Sequence, residues 1–314
     1  MSIKKPKFWD YKKLSFWSTL LLPLSVIYLL IITLKKILSK FKTYPKNSHP
    51  IICVGNIYLG GTGKTPLVKE IFKFLKSLGK NPAFIQKNYD YLVDEMKMLK
   101  KIGETFSSKE RREAINLSIV KGHDIAILDD GFQDFSIKPN FTVLCFNSKQ
   151  LIGNGFVMPS GPLREPLNSV LRANCIIING EKTNETLEFE KKITKNLKGQ
   201  KLHFFYSKYK IKNIEKLKNK EITAFAGIGN PSNFFDLLKE NNLNVKKTYT
   251  FPDHHNYSEK DFYKIIGDKS TKIVTTEKDY YRMNDEQRQN CEYIEVSLEI
   301  EKRNEFESII KSYL

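Results

Sequence analysis

Apolar and polar residues follow two alternating patterns from about residue 50 to the carboxyl end of the chain. Short continuous apolar runs are typical of buried strands, and they occur near 51–54, 82–86, 125–128, 141–146, 174–178, 202–206, 222–226, 245–250, 272–275 and 293–296. Apolar residues at helical spacing occur at 66–79, 110–121, 232–241, 259–266 and 301–312. This alternation of strands and helices predicts an α/β fold built on a doubly wound sheet of parallel type.

A lysine- and asparagine-rich passage, Lys182 to Lys201, separates two sets of these predicted elements, as a boundary helix or a linker would. The chain has 314 residues, which is enough for two modest domains. We therefore predict an α/β domain at 43–180 and a second, smaller α/β domain at 181–314. The cleft between them would close on a substrate.

The amino end carries a separate apolar segment, Leu14 to Leu34, which contains no charged residue and has lysines on both sides. Its length is close to the ~20 apolar residues that cross a bilayer. Pro23 interrupts a straight span, and the lysines on both sides give no orientation. We predict a membrane-associated helix within 1–42 that either crosses the bilayer or dips into the inner leaflet, with Trp9, Trp17 and Tyr28 at headgroup depth. A buried helix of a soluble protein is the alternative.

A glycine-rich turn, GNIYLGGTGKTP, joins the first predicted strand to the first predicted helix. Its end matches the phosphate-loop pattern G-x-x-x-x-G-K-[ST], but Tyr58 stands where that pattern begins with glycine. Because strand, glycine turn and helix follow in the order that a phosphate loop requires, we predict a nucleotide site here. A chance GKT turn is the alternative.

The residues of this turn have the chemistry that a triphosphate needs. Glycines allow backbone N–H groups to face inward, and the amino end of a helix adds positive potential. Lys64 would reach the outer phosphates and Thr65 would bind Mg²⁺. The predicted nucleotide-binding residues of the loop are Gly60, Gly61, Thr62, Gly63, Lys64 and Thr65.

Two acidic residues, Asp129 and Asp130, follow the predicted strand Ile125 to Leu128. Ligands of open parallel sheets bind at the carboxyl ends of the strands. One carboxylate would hold Mg²⁺ directly or through water, and the other would orient the metal or the substrate. An exposed acidic pair without function is the alternative. Together with the loop, these residues predict an ATP-using domain.

The chain is strongly basic, with 52 Lys and Arg against 35 Asp and Glu and a net charge of +17. Such a field attracts anionic lipids, phosphorylated substrates or nucleic acid, although AT-rich codon usage would give the same excess of lysine. No nucleic-acid-binding module is recognisable, so we expect no nucleic-acid partner. The four cysteines are far apart, so we expect reduced thiols and neither disulfides nor structural zinc.

These motifs, taken in order, resemble those of the tetraacyldisaccharide 4'-kinases, which phosphorylate the lipid A precursor. The resemblance runs from about residue 50 to 300, and the family's phosphate loop also begins without glycine, as at Tyr58. The stretches that carry it are VGNIYLGGTGKTPLV (54–68), DDGFQD (129–134), GNGFVMPSGPLREPL (153–167), FAGIGNPSNFF (225–235), FPDHHNY (251–257) and TTEKDYYR (275–282).

The resemblance implies a P-loop NTPase-like fold and a Mg²⁺- and ATP-dependent kinase of lipid A biosynthesis. Its acceptor would be the 4'-hydroxyl of an acylated glucosamine disaccharide 1-phosphate, and its product lipid IVA. It would be a monomer on the cytoplasmic face of the bacterial inner membrane, in contact with membrane lipid. The alternative function is a membrane-associated P-loop ATPase switch that acts on a protein partner. Such switches carry a second lysine in the loop, and Leu59 occupies that position here.

The resemblance also implies roles for individual residues. Asp94 would be the catalytic base and His254 its partner, with His255 less favoured, and Lys64 would act in catalysis. Arg164 would meet phosphate. The residues implied at the metal are Thr65, Asp129, Asp130, Gln133 and Glu165.

One stretch, Phe84 to Leu99, departs from the family's pattern. Lys87, Asn88 and Asp90 stand where the family has an arginine and glycines, and the segment is shorter. Asp94 is therefore aligned less securely than the other residues, and Asp90 is the alternative base.

Overall fold

The structure is a computed structural model of the chain, and it describes residues 5–11, 14–41, 49–88, 93–195, 197, 199–267 and 270–314. Asp90, the alternative base, lies outside the described residues. The chain divides into two compact units. The first unit comprises Pro6–Asn88, Gly103–Lys208 and Leu298–Leu314, and the second comprises Tyr209–Ser297 together with 93–102.

Twelve strands are present in the described part of the chain. They are β1 (Ile51–Gly55), β2 (Pro82–Lys87), β3 (Thr105–Ser108), β4 (Ile125–Asp129), β5 (Phe141–Asn147), β6 (Cys175–Asn179), β7 (His203–Ile211), β8 (Glu221–Ala226), β9 (Asn244–Thr250), β10 (Lys272–Thr276), β11 (Glu292–Ile294) and β12 (Val296–Ile300).

Eleven α-helices are present in the same described ranges. They are α1 (Phe16–Leu20), α2 (Leu22–Phe41), α3 (Lys64–Ser77), α4 (Val93–Lys100), α5 (Arg111–Val120), α6 (Asn184–Thr194), α7 (Pro231–Glu240), α8 (Glu259–Ile266), α9 (Glu277–Arg282), α10 (Asp285–Gln289) and α11 (Arg303–Lys311). Short 3-10 helices lie at Lys7–Asp10, Leu167–Arg172 and Ile214–Lys216.

The larger sheet has eight strands in the order β12-β7-β6-β5-β1-β4-β2-β3. From β7 to β3 the neighbouring strands are parallel. The central strand β1 is buried at every position, because helices cover both faces of such a sheet and its strands are continuously apolar. Since β1 and β4 are parallel neighbours, the loops after them leave the same edge of the sheet.

The second unit contains a smaller parallel sheet in the order β11-β10-β8-β9. Two apolar clusters pack on it, one around Phe234 and Leu238 of α7 and one around Phe262 and Ile265 of α8. The strands β8 and β10 are neighbours, so the residues that follow them, such as Gly227, lie at one carboxyl edge.

The α/β fold with a parallel sheet is confirmed, and the predicted strands and helices are present with bounds within a few residues. Five elements were not predicted: β3, β12, α4, α9 and α10. The single strand predicted at 293–296 falls on the end of β11 and the start of β12. Helix α9 begins directly after the last residue of β10, Thr276. Its amino end is capped by Thr276, whose hydroxyl accepts a hydrogen bond from Asp279 N at 3.2 Å.

The two units are distributed along the chain differently from the predicted domains 43–180 and 181–314. Strand β7 pairs in register with β6, with Cys175 opposite His203, so the first sheet continues past the passage that was read as a boundary. Residues 298–314 return to the first unit, and 93–102 belong to the second. The strand and helix patterns are alike in both units, so the sequence does not indicate where the chain passes from one unit to the other.

The amino-terminal segment forms α1 and α2 rather than one helix. Pro23 lies in the first turn of α2, where a missing N–H costs little. One window of α2, Leu22–Ser39, is long and apolar enough to cross a membrane, with mean hydropathy 1.8 and only 6% of its residues buried. Large apolar side chains, including Leu24 and Leu30, are exposed along it. This exposure agrees with the predicted membrane-associated helix and disagrees with a buried helix of a soluble protein.

Candidate active site

The loop after β1 has the wrapped backbone that its glycines predict. Gly60 and Gly63 have φ values of 141° and 88°, which residues with side chains rarely adopt. The buried side chain of Asn56 holds the loop from inside, since its Nδ2 donates to Tyr58 O at 2.7 Å and to Thr62 Oγ1 at 2.9 Å. These hydrogen bonds hold the loop in its curved form.

A second asparagine, Asn179 at the end of β6, ties the same loop to the neighbouring part of the sheet. Its Nδ2 donates to Thr62 O, and its Oδ1 accepts from Ser207 of β7. Neither Asn56 nor Asn179 was predicted as a site residue. The only signal for Asn179 was a polar residue at the carboxyl end of an apolar strand.

Tyr58, at the first position of the phosphate-loop pattern, is 1% exposed. Its backbone forms a bridge to Leu163 of the GPLREPL stretch, and its hydroxyl donates to Asp10 Oδ1 at 2.7 Å. Burial and this hydrogen bond both raise the pKa of Tyr58 well above its usual range. The position that usually holds glycine therefore joins the phosphate loop to two other segments.

The two predicted phosphate-binding cations both contact Asp130. Lys64 Nζ lies 3.6 Å from Asp130 Oδ1, and Arg164 Nη1 donates to Asp130 Oδ1 and Oδ2 at 3.0 and 2.9 Å. Burial alone would raise the pKa of Asp130, but Lys64 and Arg164 together hold it well below its usual range. Asp130 therefore stays ionised and orients both cations toward the mouth of the loop.

Two of the predicted metal ligands are adjacent. Thr65 Oγ1 donates to Asp129 Oδ2 at 3.3 Å, and both residues are buried. A hydroxyl and a carboxylate oxygen are the hard donors that Mg²⁺ prefers, so this pair fits the cation. No cluster of three or more His, Cys, Asp or Glu that could hold a metal occurs in the described residues.

The remaining three predicted metal ligands have protein partners: Asp130 contacts Lys64 and Arg164, and Gln133 and Glu165 bond to neighbouring loops. Gln133 Nε2 donates to Asn56 O at 2.9 Å and to Glu165 Oε1 at 3.2 Å. Arg172 Nη2 also donates to Glu165 Oε1, at 2.9 Å. Burial raises the pKa of Glu165, and the Arg172 guanidinium opposes that rise. In this arrangement the two side chains brace the loops around the site.

Arg111 was not predicted as a site residue, but it contacts the backbone of the acidic pair Asp129–Asp130. This buried arginine of α5 donates from Nη2 to Asp130 O at 2.8 Å and from Nη1 to Asp134 Oδ2 at 3.3 Å. Its hydrogen bond to a backbone carbonyl supports Asp130 in its left-handed conformation, with φ 56°.

The amino-terminal segment packs on the GNG–GPLREP stretch of the first unit. Ser25 Oγ donates to Val157 O at 2.9 Å, and Tyr28 Oη donates to Arg164 O at 3.0 Å. Trp9 is buried, and its indole N–H donates to Pro159 O at 2.9 Å. The expectation that Trp9 lies at headgroup depth is therefore wrong, because its indole is part of the protein interior.

The predicted base and its partner both lie in the second unit, and Arg282 joins them. Arg282 Nε donates to Asp94 Oδ2 at 2.8 Å, and Arg282 Nη2 lies 3.3 Å from His254 Nδ1. Asp94 is 3% exposed. Lys64, the third predicted catalytic residue, belongs to the first unit.

His255 has a different environment from His254. Its Nε2 lies 3.0 Å from Asp261 Oδ2, and its ring stacks on Phe251 with centroids 4.8 Å apart. These contacts hold His255 near the amino end of α8. His254 is therefore the histidine that shares a hydrogen-bond network with Asp94.

Comparison with known proteins gives one consistent family. The sequence model of the tetraacyldisaccharide-1-P 4'-kinases matches residues 17–314. A tetraacyldisaccharide 4'-kinase of Pelagibacter ubique is 40% identical over 99% of this chain and 98% of its own length. One from Rickettsia akari is 32% identical over 89% of this chain and 88% of its own.

A solved structure agrees with these relatives. The "apo" form of LpxK from Aquifex aeolicus, crystallised in complex with ATP, superposes with a TM-score of 0.73 at 25% sequence identity. The match covers 94% of this chain and 99% of the other. The fold is therefore shared over almost the whole length of both proteins.

Proposed function

The chain belongs to the tetraacyldisaccharide-1-P 4'-kinase family, and from this membership we propose how its residues carry out the reaction. It is a kinase that transfers the γ-phosphoryl group of ATP to the 4'-hydroxyl of an acylated glucosamine disaccharide 1-phosphate, which gives lipid IVA in lipid A biosynthesis. The resemblance of the motifs is thereby confirmed. The alternative, an ATPase switch acting on a protein partner, is not favoured.

The observation that carries the mechanism is the preformed loop Gly60–Lys64 with its two cations. Asn56 and Asn179 hold the loop curved, so binding does not have to order it. A triphosphate brings oxygens that compete with Asp130 for Lys64 and Arg164. Phosphoryl transfer depends mainly on such positioning and charge neutralisation.

Thr65 and Asp129 would hold Mg²⁺, and the bound cation would neutralise charge on the β- and γ-phosphate oxygens. Asp130 would orient Lys64 and Arg164, as it does in the ligand-free protein. Gln133 and Glu165 would keep the loops in register around the nucleotide, through their bonds to Asn56 and to each other.

Asp94 would accept the proton of the acceptor hydroxyl. The bond from that oxygen to the γ-phosphorus forms while the bond to the bridging oxygen breaks, and ADP leaves with the electron pair. His254 would then take part in passing the proton on. A positioned base of this kind contributes roughly 10²- to 10⁴-fold to a rate.

The amino-terminal helices would bring the enzyme to its lipid. Exposed apolar side chains cover α2, and the net charge of +17 attracts an anionic surface. We infer that the enzyme is a monomer on the cytoplasmic face of the inner membrane, in contact with membrane lipid. The residues of α2 that contact lipid would determine how deeply the helix lies in the bilayer.

A transfer assay tests the proposed function. Purified protein is incubated with γ-labelled ATP, Mg²⁺ and tetraacyldisaccharide 1-phosphate in detergent micelles, and the lipid is extracted and counted. We expect label in the lipid, and none with an acceptor whose 4'-hydroxyl is replaced by hydrogen. Equal labelling of both acceptors would show that another position is phosphorylated. ATP hydrolysis without labelled lipid would refute the proposal.

A further inference from the structure

Arg282, the last residue of α9, makes several polar contacts within the second unit. A guanidinium has five N–H donors, and here it makes four hydrogen-bond contacts and one further ion-pair contact. Nε and Nη2 approach Asp94 Oδ2 at 2.8 and 2.7 Å, and Nη2 approaches His254 Nδ1 at 3.3 Å. Nη1 donates to Gly227 O at 2.6 Å and to Asp279 Oδ1 at 3.0 Å. The side chain is 7% exposed.

Asp279 fixes the guanidinium from the side opposite Asp94. Its carboxylate is fully buried and accepts from Gly227 N at 3.0 Å, from Tyr257 Oη at 2.8 Å and from Thr276 Oγ1 at 2.6 Å. These bonds come from the carboxyl edge of the smaller sheet. The orientation of Arg282 is therefore set by the framework of the second unit and does not depend on Asp94.

The two oxygens of Asp94 differ because of this arginine. Oδ2 accepts from Arg282 Nε and lies 2.7 Å from Nη2, whereas Oδ1 is buried and has no hydrogen-bond partner in the part of the chain that the structure describes. A buried acceptor without a partner costs about 1–3 kcal/mol. An acceptor held at that cost indicates a group that arrives from outside, and a hydroxyl is the simplest donor that fits.

Arg282 also determines which ring nitrogen of His254 carries the proton. A guanidinium only donates, so Nδ1 must carry a lone pair, and the ring proton is then on Nε2. His254 has a left-handed backbone, with φ 57°, and its N–H donates at 3.2 Å to Gly227 O. The same carbonyl accepts from Arg282, so the ring and the guanidinium share one anchor.

We propose that Arg282 is a positioning residue of the kinase reaction, which turns Oδ1 of Asp94 toward the acceptor hydroxyl and keeps His254 as the neutral Nε2–H tautomer. This inference rests on the proposed function, since it assigns the proton of the acceptor alcohol to Asp94. Arg282 touches neither substrate nor nucleotide in this account and acts through the two residues that it holds.

Kinetics of two variants test the proposal. In Arg282→Gln we expect kcat to fall by about 100-fold, the usual effect of misplacing a catalytic group by about 1 Å, with an unchanged KM for ATP. Arg282→Lys should recover only part of kcat, because an ammonium lacks the planar fork. Arg288→Gln is the matched control: this arginine of the same unit also donates to backbone carbonyls and to a carboxylate, and its loss should leave kcat unchanged.

A double-mutant cycle separates positioning from folding. Arg282→Gln alone leaves the buried Asp94 carboxylate without its cation, whereas Arg282→Gln combined with Asp94→Asn leaves no such charge. If Arg282 acts through Asp94, its substitution should cost less than threefold in the Asp94→Asn background. A full 100-fold loss in both backgrounds would overturn the proposal.

The tautomer can be read directly in the unmodified protein. With ¹⁵N-labelled histidine, we expect the Nδ1 resonance of His254 at the shift of an unprotonated nitrogen. Arg282→Gln should move it toward the average of the two tautomers. A protonated Nδ1 in the parent protein would contradict the inference. If the parent protein transfers no phosphoryl group to lipid, the proposed function fails first, and this spectrum still decides whether Arg282 sets the tautomer.

Discussion

Lys64 and Arg164 both contact Asp130, and we expect both cations to turn to phosphate oxygens when a triphosphate binds. Lys64 Nζ lies 3.6 Å from Asp130 Oδ1. Arg164 makes the shorter contacts to the same carboxylate. A single acidic residue therefore orders both cations.

Replacement of Lys64 by alanine tests its assigned role. We expect Lys64→Ala to abolish measurable transfer, since the loop loses its own cation, while the protein stays folded. Turnover of labelled lipid is the measurement. Lys73→Ala is the control, because Lys73 is on the same helix but pairs with Glu70 at the surface. Near-normal turnover of Lys64→Ala would refute the loop assignment.

Asp94 is the second residue whose role is open to a direct test. Asp94→Asn keeps the shape of the side chain but removes the base, so transfer should fall by about 10²- to 10⁴-fold. ATP binding, measured by calorimetry, should be unchanged. Asp90→Asn, made in parallel, should keep most activity. The opposite ranking of the two variants would move the base to Asp90.

The proposed nucleotide-binding residues are close together in the sequence, so a motif can identify them. Gly60 to Thr65 are consecutive residues, and their spacing alone predicts phosphate binding. Arg282 could not be predicted, because its role depends on Asp94, which lies 188 positions away in the sequence. For the same reason Asn179 and Arg111 were missed, since each acts on a loop from another part of the fold.

Connections between elements explain why Tyr58 begins the phosphate loop. The 3-10 helix Lys7–Asp10, the loop and the GPLREPL stretch meet at this side chain: the hydroxyl bonds to Asp10, the backbone bridges to Leu163, and Leu59 N donates to Pro162 O at 2.8 Å. A glycine would make none of the side-chain contacts. The amino-terminal segment is therefore joined to the loop that binds phosphate.

Removal of the Tyr58 hydroxyl tests this connection. Tyr58→Phe keeps the ring packed and loses one hydrogen bond to a charged acceptor, worth about 1.5–3 kcal/mol. If the bond holds the loop in place, KM for ATP should rise by about tenfold or more with little change in kcat. Asp10→Asn should have a smaller effect in the same direction. An unchanged KM in both variants would show that the loop does not depend on this contact.

Short elements were the least predictable part of the fold. The helices α9 and α10 have 6 and 5 residues, which is too few for apolar periodicity to be recognised. The longer α3 and α11 were predicted within two residues of their ends. Thr276 is a residue type that often caps helices, but threonine also occurs at the ends of strands. Its presence therefore did not predict that α9 begins there.

At the scale of the whole molecule, the amino-terminal helices have two roles that mutations can separate. Deletion of residues 1–40 would free the protein from membranes, but it would also remove Asp10, Ser25 and Tyr28, which contact the loops of the first unit. Loss of activity on deletion would therefore not by itself show that the reaction needs a membrane.

Substitution of exposed apolar residues isolates the membrane role. We expect a variant of α2 with serine at Leu24, Ile27, Leu30 and Ile31, all exposed, to lose cosedimentation with anionic vesicles while it keeps transfer to lipid in detergent micelles. The matched control places serine at Leu117 and Val120, which are exposed on α5. Continued sedimentation of the α2 variant would show that another surface of the enzyme binds lipid.

The placement of the triphosphate is the claim on which the mechanism depends, and a crystal structure with a non-hydrolysable ATP analogue and Mg²⁺ tests it most directly. We expect the β- and γ-phosphates inside the turn Gly60–Lys64, within hydrogen-bond distance of its backbone nitrogens and of Lys64 Nζ, with Arg164 turned from Asp130 toward the γ-phosphate. A structure in which the analogue lies elsewhere, or in which Lys64 stays on Asp130 beside an empty turn, would contradict it.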